Sequence, residues 1–423
     1  MGIPKLRSCY AIMCKPNALP SVLNFQVLRV LDMEECSFDK DLPYHLEHLR
    51  RLPQLRYLGL ESTHISKLAE EIGDLKFLQT LDLRGTCIRE LPQSIGLLRK
   101  LKCLRADVDG VGITVSNWIG NLTSLEELEL NAVDKSCIFV KELSKLTELR
   151  VLIYNLNEDV DECWKKFFVE SLCNLRKIKV LGLYFTHTQP TSELDDYWKG
   201  YEPPRQLRDL YIQHGFSRVP AWINSSLLPN LSILAMKVGD FVEQDVVNFG
   251  SLPELTFLRY PIPGGMEFPD GTFPKLRSCR VHAPFRFLKG SMQSLESIYT
   301  IVQVRALKDA GTDLDFIGSL RNLPSLWRVG AQIDCDGANA SDIEKVKAAV
   351  RQAMDIHPNR PTLHLSTYGR PQTDEEESDS EQTKQELLAA SSLDQTTTVG
   401  MSTQVIDDNN DEQKVCIYFT HDQ

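Results

Sequence analysis

The sequence predicts an α/β solenoid, a stack of short coils that share one parallel sheet. Two observations predict it. The leucines follow a spacing that fits neither one amphipathic helix nor one long strand, and that spacing recurs along most of the 423 residues. Residues 78–101 show the unit, LQTLDLRGTCIRELPQSIGLLRKL, with Leu78, Leu81 and Leu83 followed by Ile88, Leu91, Ile95, Leu98 and Leu101. A period of this length is the mark of a repeat architecture and has to be sought before any other reading.

Aligned on L-x-x-L-x-L, clear copies lie at Leu55/Leu58/Leu60, Leu78/Leu81/Leu83 and Leu125/Leu128/Leu130. Close variants begin at Leu28, Leu101, Leu149, Ile178, Leu207 and Leu231, and looser ones at Leu255, Leu276, Leu295 and Leu326. Leu6/Cys9/Ala11 reads as a frayed first copy. A second register precedes the triplet in steps of three, as in Ile72-Leu75-Leu78, Ile95-Leu98-Leu101 and Ile119-Leu122-Leu125. The x-L-x-L part makes a short strand with its leucines inward and its other side chains outward. The I-x-x-L-x-x-L part packs back as a 3₁₀ or helical arc. One coil cannot bury its own apolar side, but stacked coils can, with strands about 4.8 Å apart. The expected object is a leucine-rich-repeat horseshoe of about 13 repeats, with a parallel concave sheet and an irregular or helical convex side. Cys36, Thr63 and Thr86, three residues after successive triplets, are expected to satisfy turn amides with their small polar groups.

The solenoid is expected over 1–340. Within it, Trp164, Phe167, Phe168 and Leu172 at helical spacing predict a convex-side helix, whereas THTQPTSELDDYWKGYEPP, residues 186–204, reads as an exposed polar loop. Ser341 and Glu344 form a capping box ahead of the apolar stripe Ile343, Val346, Val350 and Met354, and HPNRP stops it. Residues 341–361 are therefore expected as a helix that covers the open end. Residues 362–423 are expected as an acidic, disordered tail: they hold 13 Asp/Glu against 3 Lys/Arg, a net of −10 out of −11 for the chain.

These totals exclude several classes of function. The solenoid is near neutral, so no basic footprint for nucleic acid is present. Eleven cysteines without a CxxC pair read as reduced thiols of an intracellular protein. No stretch approaches the ~20 apolar residues of a membrane span. Phosphate-loop, dinucleotide and H-E-x-x-H signatures are lacking. His45 and His48 sit three apart in YHLEHL, but no further ligand accompanies them, so neither a metal nor another cofactor is expected. Neighbouring acids such as Glu126-Glu127 do not make a catalytic pair, and the chain reads as no enzyme.

What a solenoid offers is its long sheet face. The residue between the second and third triplet leucines is the most central outward position. It is Asp32, Gly59, Asp82, Arg105, Glu129, Ile153, Gly182, Tyr211, Ala235, Arg259, Arg280, Tyr299 and Gly330 in turn. The first half is polar and partly acidic. The second brings in Tyr211, Arg259, Arg280 and Tyr299, flanked by Tyr184, Phe185, His214 and Trp327. Tyr, Trp and Arg dominate binding hot spots, so Tyr184, Tyr211, His214, Arg259, Arg280, Tyr299 and Trp327 are the candidate partner-binding residues.

Several phrases resemble the repeat region of plant intracellular nucleotide-binding leucine-rich-repeat disease resistance proteins, of the coiled-coil class in its grass-type form. They are PKLRSCYAIMC, FQVLRVLDMEEC, residues 52–104, RVPAWINSSLLPNLSIL and VKAAVRQAMDIHPNRPTL, and the likeness covers about residues 1–365. The resemblance implies a plant defence function. Its repeats would recognise a pathogen effector or a guarded host protein, and would restrain a nucleotide-binding switch, through protein contacts in the cytoplasm or nucleus. Met1 falls where that switch would already have ended, so ATP binding and oligomeric signalling are not carried over. The alternative is a non-catalytic intracellular repeat scaffold or adaptor. An extracellular receptor would need cysteine-pair caps and L-x-G-x-I-P turns, which the sequence lacks.

Overall fold

The structure, a computed structural model, describes residues 6–12, 26–36, 47–107, 112–115, 117–132, 137–156, 161–185 and 196–371. His45 and the VCIYF segment lie outside them. Strands β1 to β8 are Ser8–Tyr10, Val30–Asp32, Tyr57–Gly59, Thr80–Asp82, Cys103–Ala106, Glu127–Ala132, Val151–Leu156 and Val180–Phe185. Strands β9 to β17 are Asp209–Arg218, Ile233–Asp240, Phe257–Ile262, Met266–Phe268, Ser278–His282, Phe285–Phe287, Ser297–Gln303, Arg328–Asp334 and Thr362–Tyr368. Fifteen of them form a single parallel sheet in chain order; β12 and β14 make a separate parallel pair. Each sheet strand begins a coil, and its neighbour in space is its neighbour in sequence, as the triplet spacing requires.

The triplet leucines are the core. Leu58, Leu60, Leu78, Leu81, Leu83, Leu98, Leu101, Leu125 and Leu128 are fully buried, in one apolar cluster that runs from Leu28 to Met354. Burial of each such side chain contributes about 1.5–3 kcal/mol. The step-of-three register forms 3₁₀ arcs at Glu70–Asp74, Gln93–Leu97 and Asn117–Asn121, opposite the sheet. The isoleucine of the recurring I-G phrase is buried, and the glycine marks the closest approach of consecutive arcs. A Cβ on Gly73 would lie 2.6 Å from that of Ser94. From residue 137 onward helices replace most arcs: α1 Cys137–Leu143, α2 Glu162–Asn174, α3 Glu243–Gly250, α4 Val304–Asp309, α5 Asp315–Gly318 and α6 Ala340–Ile356. The predicted convex-side helix is α2, with Trp164, Phe168 and Leu172 buried and Phe167 half-buried.

Several expectations are corrected. Thr63 and Thr86 satisfy carbonyls rather than amides: their hydroxyls donate to Leu60 O at 2.6 Å and Leu83 O at 2.8 Å. The strand-to-turn bend exposes those oxygens to the interior, where a short hydroxyl can reach them. The second half of the 186–204 segment is no exposed loop. Trp198 and Tyr201 are buried, packed against Phe216 and Trp222, because a coil this long needs large rings to fill its interior.

The last helix, α6, is capped by Asn339, whose Oδ1 accepts from Asp342 N at 2.8 Å, and not by Ser341. It does not cover an open end either: it is the outer side of a further coil that returns as β17. The stretch Thr362–Tyr368, expected to begin the tail, pairs with β16 over its whole length, Arg328 with Thr362 through Asp334 with Tyr368. Its alternating Leu363 and Leu365 lean on the core, which is the strand pattern that net charge alone concealed. The HPNRP turn joins α6 to β17. Its first residue, His357, is buried and ties the turn to the coil before it. The ring Nδ1 accepts from Asn359 N, so Nε2 carries the proton and donates to Leu320 O at 3.2 Å.

Candidate functional site: the outward face of the sheet

Strand register places the central outward residues in one row. Asp32 pairs with Gly59, Gly59 with Asp82, Asp82 with Arg105, Arg105 with Glu129, Glu129 with Ile153, Ile153 with Gly182, Gly182 with Tyr211 and Tyr211 with Ala235. Two irregularities then displace residues that spacing alone puts in line. Opposite Met236 and Lys237 of β10 the register slips, so Gln213 and His214 of β9 fall within a bulge; the His214 side chain is outside the described ones. In β11 the partner of Arg280 is Pro261 rather than Arg259, which leaves Arg259 in a bulge on the outward side. The row resumes with Arg280, Tyr299, Gly330 and His364.

The first half of the face is a charged network. Asp82 is only 1% exposed, and Arg84 grips it with Nε to Oδ1 at 3.0 Å and Nη2 to Oδ2 at 2.8 Å. The same guanidinium reaches Glu61 at 2.8 Å, and Arg105 bridges Asp82 at 3.5 Å to Glu127 at 3.0 Å. Two arginines thus serve a larger set of acids. Burial pushes the Glu129 carboxyl up to about 7, against the pull of Arg84 and Arg105. Asp32 is raised by burial and then by Glu34 and Asp82, and Glu61 by burial despite Arg84. The pattern D-L-R at 82–84 held the signal for this network. Pairing it with Arg105 and Glu127 needs the register.

The second half carries aromatic and cationic groups. Tyr184 and Tyr211 are half-buried neighbours; burial raises both phenols, Tyr211 raises Tyr184 further, and Arg259 acts on each in the opposite direction. Asp209, 6% exposed, is held by Arg208 at 2.8 Å. Arg280 lies with its guanidinium carbon 4.5 Å from the centre of the Tyr299 ring, and Tyr299 donates to Gln332 Oε1 at 2.6 Å. The tyrosine ring crosses Gly330, where a Cβ would lie 2.6 Å from Tyr299 Cδ2. Trp327, 53% exposed, precedes β16 and lies outside the central row. The candidate residues therefore fall into two groups, Tyr184–Tyr211–Arg259 and Arg280–Tyr299, with Trp327 apart.

A continuous parallel sheet with one leucine-lined side and one polar side defines a leucine-rich-repeat protein. The chain belongs to the family described as leucine-rich repeat region, whose model matches residues 5–363. Disease resistance protein RGA5 of Oryza sativa subsp. japonica is 24% identical over 374 residues, 81% of this chain and 31% of its own length. Disease resistance RPP13-like protein 4 of Arabidopsis thaliana is 28% identical over 230 residues, 53% of this chain and 26% of its own. The chain thus spans about a third or less of these plant disease resistance proteins, whose repeat region it resembles. Among solved structures, a leucine-rich-repeat protein of Leptospira interrogans aligns with a TM-score of 0.51 at 18% identity, over 86% of this chain and 93% of that one. That likeness concerns the fold. Among the described residues no helix is long and apolar enough to cross a membrane.

Proposed function

We propose that the chain is the recognition region of a plant defence protein and acts by protein–protein contact without catalysis. The Arg280–Tyr299–Gln332 arrangement is the observation that carries this reading. A planar cation on an aromatic ring, itself pinned by a hydrogen bond, presents rigid, partly desolvated groups at little entropic cost to a partner. Together with Tyr184, Tyr211 and Arg259 it makes the second half of the face the surface for a pathogen effector or a guarded host protein. The acidic first half is the surface that restrains a nucleotide-binding immune switch, in the cytoplasm or nucleus. Its surplus of carboxylates over arginines favours a basic counterpart and a salt-sensitive contact.

Co-purification of this chain with the separately expressed nucleotide-binding region of a related receptor tests the restraint. A complex weakened by Glu61→Lys or by raised salt supports it. A folded, monodisperse chain that never binds removes the restraint and leaves recognition alone. Recognition has its own test in Tyr211→Ala combined with Arg259→Ala: unchanged affinity for a captured partner would place the binding surface elsewhere.

A further inference from the structure

On the side of the coils away from the sheet face, two cysteines meet that are 26 positions apart. Cys137 is the first residue of α1 and Cys163 the second residue of α2, and the Cys137 thiol donates to the Cys163 sulfur at 2.9 Å. Cys163 is exposed and Cys137 half-buried, so both are reachable from solvent. We propose that Cys137 and Cys163 form a redox-active dithiol, closed by a peroxide into a disulfide that staples α1 to α2.

The neighbourhood holds the pair in place. Ser171 on α2 donates to Val140 O on α1 at 2.6 Å, in a buried position. Beneath them Phe139 stacks on Tyr154, and Tyr154 on Trp164, with ring centres 5.5 and 6.0 Å apart. Asp161 caps α2, its Oδ1 accepting from Trp164 N at 2.7 Å, which fixes the turn that presents Cys163. A disulfide needs sulfurs about 2.05 Å apart, so closure brings these two about 0.9 Å nearer. The 13-residue α2 places a partial positive charge at its N-terminus, beside Cys163. Cys163, the more exposed sulfur and the one in the first turn of α2, is the attacking sulfur and Cys137 the resolving one.

The chemistry balances with one peroxide. The Cys163 thiolate attacks a peroxide oxygen, the O–O bond breaks, and the departing hydroxide leaves as water with the proton the thiol gave up. The resulting sulfenic acid is attacked by the Cys137 sulfur; the S–S bond forms and the hydroxyl leaves as water with the Cys137 proton. Two electrons pass from the two sulfurs to the peroxide. The Asp161 carboxylate and both sulfurs lie within 4.8 Å of one another, so a thiolate-binding metal is the competing use of the same atoms.

The test uses the full, reduced, metal-free chain with one equivalent of hydrogen peroxide, followed by alkylation and peptide mass mapping. The expected result is a linked Cys137–Cys163 peptide pair, about 2 Da lighter than the two free thiols, appearing at least about tenfold ahead of oxidation at the exposed, solitary Cys87. Dithiothreitol should return both thiols, and Cys163→Ser should leave Cys137 open to alkylation. Oxidation no faster than at Cys87, or over-oxidation of each sulfur without a link, would overturn the proposal. So would a second sample, given zinc before the peroxide, that retains it stoichiometrically after dialysis with both thiols protected, which would make the pair a metal site instead.

Discussion

Arg280 and Tyr299 stack across adjacent strands, guanidinium over ring at 4.5 Å, and Tyr299 is anchored from the far side by its bond to Gln332. The pair is thus fixed before any partner arrives. Tyr299→Phe keeps the ring and removes the anchor. It is expected to lower stability by about 0.5–1.5 kcal/mol in urea unfolding. Gly330→Ala should cost more, since its Cβ would stand within the ring's space. Equal stability of both variants with the native chain would mean that the ring is not held.

The acidic half of the face makes the stability of the chain depend on pH. Glu129 has its carboxyl raised to about 7 when folded, above the ordinary value of 4.5. The folded state therefore holds a proton that the unfolded state has lost, and stability falls as pH rises through that window. The contribution is fully present below the unfolded value and gone above about 7. Burial-raised Asp32 and Glu61 act with the same sign. Glu129→Gln should therefore flatten the change in urea midpoint between about pH 5 and pH 8; an unchanged slope would assign the dependence to other groups.

Asp82 is buried between two arginines. Asp82→Ala leaves Arg84 without its main partner and is expected to cost about 3 kcal/mol, within the range for breaking a buried pair. Arg84→Ala on top of it should add little, because the interaction is already lost. Full additivity of the two changes, measured as a double-mutant cycle, would deny the coupling.

Asn339, not Ser341, caps the last helix. Asn339→Ala is expected to lower stability by about 1 kcal/mol, whereas Ser341→Ala should lie within about 0.5 kcal/mol of the native chain. The reverse order in thermal unfolding would restore the capping box at Ser341 and Glu344.

Leu81 and Leu97 separate what a leucine does from where it stands. Leu81 is fully buried in β4 and Leu97 is 52% exposed at the end of its arc. Leu81→Ala should cost about 2–5 kcal/mol and Leu97→Ala about 0.5 kcal/mol or less. Hydrogen exchange should show the Leu81 loss spreading first to the coils of β3 and β5, the strands paired with β4 on either side.

The sequence by itself determined the repeat, its inward residues and the central outward row, because a period that alternates sides of a strand writes burial directly into residue order. Asp82 to Glu129, and Arg280 to Gly330, stand where the triplets put them. Only the tertiary structure decided the rest. The bulges that shift Arg259 and His214 arise where coils of unequal length must still share one sheet, and spacing within a single repeat carries no trace of that mismatch between neighbours. The buried Trp198 and Tyr201 fill a space that only the stacked coil creates. Strand β17 exists because β16 offers it an edge and a core to lean on, which the acidic residues that follow it in sequence obscure. The Cys137–Cys163 contact joins two separate coils: side chains far apart in the chain become neighbours only through the helix packing that Phe139, Tyr154 and Trp164 impose.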